Sequence, residues 1–382
     1  MSNFKYVLVA GFAMFSMFFG SGNLVFPLWV GVETTSQFLV ASLGLMVTAI
    51  LLPFLGLLSM TMFNGDRREF FSHVGKWPAL LLSFSMLCLM GPFGVMPRCL
   101  IVGYGGVKLM FPDLSMQVFN ALSCVAIAVM VWRPNRIVDL LGKVLTPVLL
   151  LGIVVISVMG LAYGPDVATS SMASFEAFEA GLSQGYQTMD LLAAFFFAAA
   201  AVNYLKTKTA QNSNASLVKM SVVACVIGAS LLAIVYGGFV SLGAKFSHTL
   251  AQVSPESMLV MVAKSTLGDF AVPIAGSTIA LACLTTAVVL TTLFADFLTE
   301  DLSGGRIPRK VSVIITLVIG YVISLLGFMK IAAWIQQSLM LAYPALMVLA
   351  ISNILYKVKG WNFGLWPFWG VLGATVLLTY LM

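Results

Sequence analysis

The chain has 382 residues, 60% of them hydrophobic and 9% charged, against roughly 25% charged in an average soluble domain. No water-soluble fold hides that much apolar surface, and with a mean hydropathy of +1.02 the solvent is lipid. The formal charge of +6 does not point to nucleic acid, because the basic residues are spread through short connectors and do not interleave with exposed aromatics.

Apolar runs long enough to cross a hydrocarbon core of about 30 Å recur along the chain. Taking clusters of charge, Pro, Gly and Asn as connectors predicts an all-α integral membrane protein with spans near 5–32, 37–60, 78–109, 116–132, 138–163, 174–206, 217–243, 270–298, 309–328, 333–356 and 361–382. The stretch after Lys5 imitates a signal peptide, but no small-x-small cleavage site follows and the apolar run continues through Phe26 and Trp29, so it reads as an uncleaved first span. With the N-terminus inside, fifteen basic residues fall inside: Lys5, Arg67, Arg68, Lys76, Arg133, Arg136, Lys143, Lys206, Lys208, Lys219, Arg306, Arg309, Lys310, Lys357 and Lys359. Lys108, Lys245, Lys264 and Lys330 fall outside, and Arg98 lies within a span. A skipped or invented span would scramble that asymmetry, so eleven spans with a cytoplasmic N-terminus and an external C-terminus are expected.

The five cysteines all fall in spans without CxxC spacing, which supports neither a disulfide framework nor a zinc site. His73 and His248 stand alone in connectors and read as solvated.

Three spans are interrupted. The first carries Phe18-Phe19-Gly20-Ser21-Gly22-Asn23, the sixth Gly185-Tyr186-Gln187-Thr188-Met189-Asp190, and the third Gly91-Pro92 and Pro97. Glycine and asparagine tolerate left-handed or extended backbone, so the first two runs are places for a helix to unwind. Unwound backbone survives in lipid only where protein or a watered cavity satisfies it. The first and sixth spans are equivalent if spans one to five and six to ten are repeats, and an odd-numbered repeat inserts inverted the second time. Paired broken helices in an inverted repeat place a transporter's site near the bilayer midplane. The divisions predicted are 1–163, 164–356 and a peripheral helix at 357–382.

The outer half-helix beginning near Gly22-Asn23 offers free amides and a positive dipole, suited to a carboxylate, with Gly20 and Gly22 allowing close approach. The inner half ends near Ser16 to Phe19, where orphan carbonyls suit a cation or an ammonium group. Gly20, Ser21 and Gly22 taken alone also read as close helix packing of the small-xxx-small kind, a reading that Asn23, Pro27 and the second break weigh against. Tyr186 and Thr188 offer hydroxyls beside the second break. Asp190 is an intramembrane acid, a functional candidate by its cost, or a cap for the helix that follows. Thr285 and Thr286 are adjacent hydroxyls that suit sodium, or they bond their own helix carbonyls. Arg98 needs a partner or water, Pro97-Arg98 marks an inward-facing kink, and Arg98 and Asp190 are the candidates for a proton or gating role.

Phe19-Gly20-Ser21-Gly22-Asn23-Leu24-Val25-Phe26-Pro27 closely resembles the signature of the branched-chain amino acid:cation symporter family. Gly91-Pro92-Phe93 with Pro97-Arg98 is similar to that family's third span, and Gly185 to Asp190 to its sixth. The resemblance, from about residue 5 to 356, implies the amino acid, polyamine and organocation superfamily and its leucine-transporter-like fold. It also implies leucine, isoleucine and valine as substrates, imported with sodium or, in some members, protons. On the same grounds Ser16 and Phe19 carbonyls with Ala282, Thr285 and Thr286 match the superfamily's best-shared sodium site, and Ser21, Gly22 and Asn23 with Tyr186 and Thr188 its substrate site. The chain departs in having eleven expected spans where the family commonly has twelve, and Leu28 where many members carry a second proline.

A membrane enzyme would need convergent acids, nucleophiles or metal-ligand spacing, which the sequence lacks. The rival readings are a proton-driven carrier for another small neutral amino acid and a non-transporting amino-acid receptor. The expected partners are the amino acid and the bilayer, with no nucleic acid and no cofactor beyond the coupling Na+ or H+. The localisation expected is the plasma (inner) membrane, as a monomer or weak oligomer.

Overall fold

In lipid every backbone N–H and C=O has to be bonded within the protein, and helices do so within one segment. The computed structural model describes residues 2–132, 146–209 and 214–381, and among them there is no strand. Arg133, Arg136, Lys143 and the start of the fifth expected span lie outside the described residues.

The first expected span is two helices, α1 (Ser2–Phe18) and α2 (Ser21–Thr34), with Phe19 and Gly20 between them. The second is α3 (Phe38–Met46) and α4 (Leu52–Met62) joined by a π turn, Val47–Leu51. Its cause is Pro53, which has no N–H and crowds the carbonyl four residues back. The helix widens there, and Leu52 N–H bonds the carbonyl of Val47, five residues back. A short surface helix, α5 (Arg67–Ser72), follows, its first amides accepted by the Asp66 side chain. The third span divides into α6 (Lys76–Met90) and α7 (Val95–Lys108) at Gly91–Gly94. The interruption expected at Gly91-Pro92 is therefore a full break, while the kink expected at Pro97-Arg98 falls at the start of the next helix. Pro97 sits in the first turn of α7, where a missing N–H leaves no bond unmade.

Then come α8 (Met116–Trp132), α9 (Thr146–Tyr163), α10 (Ser174–Tyr186), α11 (Asp190–Thr209) and α12 (Asn214–Lys245). Two short helices, α13 (Ser247–Leu250) and α14 (Met258–Leu267), occupy a stretch that reads from sequence as a plain connector. The chain ends with α15 (Ala271–Phe297), α16 (Arg309–Ser324), α17 (Phe328–Lys359) and α18 (Trp366–Leu381). Among the described residues six stretches are long and apolar enough to cross a membrane: Ser21–Met62, Trp77–Lys108, Ser174–Thr207, Ser216–Lys245, Ala271–Leu302 and Phe328–Lys359. The first of these folds back at Thr35, where φ is +40°, and so supplies two elements. Leu151, Val226, Ile234 and Trp366 are among the large apolar side chains left on the outside, as a lipid-facing surface requires.

The packing is paired. α1 and α2 lie along α12, while α10 and α11 lie along α3 and α4. Each broken span thus runs beside the helix that follows its counterpart. Both crossings are close enough to need glycine: a Cβ on Gly31 would come 2.0 Å from the Val240 carbonyl, and one on Gly181 would come 2.0 Å from the Ala41 carbonyl. α7 crosses α15, and α8 packs on both α15 and α16, so a second group of helices braces the first.

Candidate functional site

The two breaks face each other. A Cβ built on Gly22 would lie 3.2 Å from the Cα of Thr188 and 3.3 Å from the carbonyl oxygen of Gln187. The open side of Gly22 is therefore filled by the backbone of the sixth span. Close approach at this glycine is approach between helices, and a branched residue there would drive the two breaks apart.

At the first break Gly20 is extended (φ −120°, ψ −165°) and precedes α2. The first bond of α2 is Leu24 N–H to Gly20 O, at 3.3 Å, so the amides of Ser21, Gly22 and Asn23 are the orphan donors of its first turn. Asn23 reaches back across the break, and its Oδ1 accepts from Gly20 N–H at 3.1 Å. Pro27, inside α2, has no N–H and leaves the Asn23 carbonyl without its usual helical donor. At the second break, α10 ends in tight turns and Met189 takes φ +60°. Left-handed backbone in a non-glycine residue costs about 1–2 kcal/mol, and the buried Met189 is held there by its surroundings. Gly185, where sequence suggests unwinding, instead lies inside α10, with Thr48 against it.

Three buried polar side chains tie the breaks together. Asn23 Nδ2 donates to Asp190 Oδ2 at 2.8 Å and also lies against the Tyr236 hydroxyl. Tyr236 donates to the same Asp190 oxygen at 3.0 Å. Asp190 is thus held by side chains of the first and seventh spans, which goes beyond capping α11. Tyr236 went unread in the sequence. Its one signal there is a lone hydroxyl in an apolar run, Ala233-Ile234-Val235-Tyr236-Gly237.

The other candidates surround this group. Thr188 Oγ1 donates to the Gly185 carbonyl at 2.9 Å, and the Tyr186 ring packs on Tyr343 with centroids 4.8 Å apart. Ser21 is fully buried and Cys99 Sγ–H donates to its hydroxyl at 3.4 Å. Thr285 and Thr286 both donate to the Ala282 carbonyl, at 2.8 and 3.1 Å. A hydroxyl that donates its proton keeps its lone pairs, so this back-bonding leaves both oxygens able to face a cation. Thr286 is also beside the first break, since a Cβ on Gly20 would meet its methyl at 3.5 Å. Phe19 is the first residue past α1 and Ser16 lies in its last turn, so their carbonyls belong to the helix end at the first break. Arg98 is completely buried in the first turn of α7. Its Nη1 donates to Gln187 Oε1 at 3.3 Å, and Gln187 in turn donates to the Ala332 carbonyl at 2.9 Å.

A family profile described as branched-chain amino acid transport protein matches residues 3–365. The chain belongs to that family. It is 30% identical over 370 residues to a branched-chain amino acid permease, BrnQ, of Corynebacterium glutamicum, an alignment that covers 95% of this chain and 85% of the permease. Among solved structures it superposes on MhsT in complex with L-phenylalanine, with a TM-score of 0.62 at 17% identity and 97% of each chain covered. It also superposes on a closed conformation of Mhp1, a nucleobase-cation-symport-1 family transporter, with a TM-score of 0.64 at 14% identity, covering 97% of this chain and 90% of Mhp1. These two establish the leucine-transporter-like fold, with its broken first and sixth helices. The molecule is an integral membrane carrier and not an enzyme.

Proposed function

We propose that this transporter imports leucine, isoleucine and valine by symport with sodium. The observation that carries the reading is the meeting of two helix breaks at a buried polar group, Asn23, Asp190 and Tyr236, beside the first turn of α2, whose amides have no intrahelical acceptor. Those amides suit the substrate carboxylate, with Gly20, Ser21, Gly22, Asn23, Tyr186 and Thr188 around it. Sodium takes the neutral oxygens of Ser16, Phe19, Ala282, Thr285 and Thr286, because a hard cation prefers oxygen ligands. The sodium-binding oxygens and the substrate-binding amides flank the same break, so occupation of one site orders the other, and the coupling is reciprocal. On this reading the repeats are 1–163 and 164–356, inverted about the site, and 357–382 is a peripheral helix. Eleven spans cross the plasma membrane with the N-terminus inside.

Uptake of labelled leucine by proteoliposomes under an imposed sodium gradient tests the proposal. Replacing sodium with choline at constant pH and potential is expected to abolish accumulation. The Thr285→Ala/Thr286→Ala protein is expected to bind leucine at least about tenfold more weakly at fixed sodium, since it has lost two of its oxygen ligands. Uptake that ignores sodium and follows the pH gradient would favour a second reading, proton coupling through Asp190, which its burial at the break supports.

A further inference from the structure

Arg98 is the largest charged group in the interior, with no solvent exposure. Its guanidinium carries five N–H donors and stays ionised. Nη1 reaches Gln187, but Nε and Nη2 have no hydrogen-bond partner. No carboxylate among the described residues forms an ion pair with it. Asp190, the buried acid of this region, acts on Arg98 electrostatically without pairing with it directly, and is held by Asn23 and Tyr236. A buried cation without a directly paired anion is expensive, and such residues in membrane proteins mark ligand pathways.

The position of the guanidinium identifies the missing anion. Its carbon lies 5.4 Å from the centroid of the Phe26 ring and 6.0 Å from that of Phe328. Phe26 is one turn beyond Gly22, on the face of α2 that meets Gln187 and Thr188. The next residue along α7, Cys99, touches the Ser21 hydroxyl. Arg98 therefore stands beside the first turn of α2, where the amides of Gly22 and Asn23 have no intrahelical acceptor. A small cavity of about 80 Å³ is lined by Phe26, Gln187 and Phe328, the residues that surround the guanidinium, and by Gln336 among others. Two independent features, a helix N-terminus and an unpaired buried cation, converge on one place and call for the same ligand charge.

We propose that Arg98 binds the α-carboxylate of the transported amino acid together with the first-turn amides of α2. The charged fork pairs two oxygens of a planar carboxylate, and Gln187 and the two phenylalanine rings hold it in place. The inference rests on the proposed function, since it names the residue that recognises that substrate.

Competition against labelled leucine uptake tests it, with leucine, leucinamide and 3-methylbutylamine as unlabelled competitors. In the native protein leucine is expected to compete at least about 100-fold better than leucinamide, because a carboxamide leaves the guanidinium without its anion. In Arg98→Gln the leucine affinity is expected to fall about 10- to 100-fold, the size of a charged hydrogen bond, while the preference over leucinamide collapses to a few-fold. Arg98→Lys keeps the charge without the fork and is expected to restore part of that preference. Gln187→Glu supplies an internal carboxylate within reach of Nη1, and it is expected to keep the protein folded while weakening leucine binding by a similar factor. Native protein that accepts leucinamide as well as leucine overturns the proposal, even if Arg98→Gln fails to fold. Leucine affinity unchanged in Gln187→Glu, or an unchanged amide preference in Arg98→Gln, overturns it too. Native protein that takes up no leucine refutes the transport reading instead, so the two failures are distinct.

Discussion

Tyr236 is the residue whose removal isolates the polar group at the breaks. Its hydroxyl serves Asn23 and Asp190 at once, and phenylalanine fills the same space without it. A buried acid that loses one of its donors costs about 1–3 kcal/mol. Tyr236→Phe is therefore expected to melt earlier than the native protein in detergent and to transport leucine more slowly. Equal melting and equal uptake would mean that Asn23 and Thr188 suffice to hold Asp190. The same residue marks a limit of sequence reading. Asn23 and Asp190 stand out locally, one in a glycine-rich break and the other as an acid in lipid, but Tyr236 lies 213 positions from Asn23. Nothing in its own neighbourhood says which of the chain's many hydroxyls faces the break.

At the scale of elements, the crossings depend on backbone contact. The carbonyl of Val240 fills the space where Gly31 would carry a side chain, at 2.0 Å, so Gly31→Ala has to push α2 off α12. Overpacking of this kind costs about 1–3 kcal/mol. A glycine of α18, Gly373, has nothing within 4 Å of its Cβ position, and alanine is the better helix former by roughly 1 kcal/mol. Gly31→Ala is expected to lower the yield of monodisperse protein in size-exclusion chromatography and Gly373→Ala to leave it unchanged; the reverse order would contradict the crossing. The breaks themselves were only partly legible. Gly20 and its polar neighbours announce the first, and the structure opens the helix there. In the sixth span the position was readable but the agent was not, because a methionine, Met189, takes the left-handed conformation and Gly185 serves packing instead. Surrounding contacts outweighed local preference there.

For the whole molecule, the asymmetry of basic residues predicts which connectors face the cytoplasm. Arg306, between α15 and α16, and Asp269, just before α15, are both exposed, and the predicted topology places them on opposite sides. Arg306→Cys is expected to react with a membrane-impermeant maleimide only after vesicles are opened or inverted, and Asp269→Cys directly in right-side-out vesicles. Asp269 pairs with the exposed Lys264, and an ion pair of that kind contributes about 0–1 kcal/mol, so the substitution is tolerable. Labelling in the opposite pattern would reverse the orientation, and labelling of both from one side would change the number of spans between them.

Composition and periodicity by themselves determined the solvent and the helices, because a chain this apolar has one way to satisfy its backbone in lipid. They also located the first break, since glycine and asparagine act on the residues next to them. Only the tertiary structure decided that Asn23, Asp190 and Tyr236 share hydrogen bonds, that the open side of Gly22 is filled by the sixth span, and that Arg98 lies buried with two nitrogens unpaired. Those facts depend on how helices cross, and a crossing is set by side chains far apart in the chain, whose pairing no local pattern records.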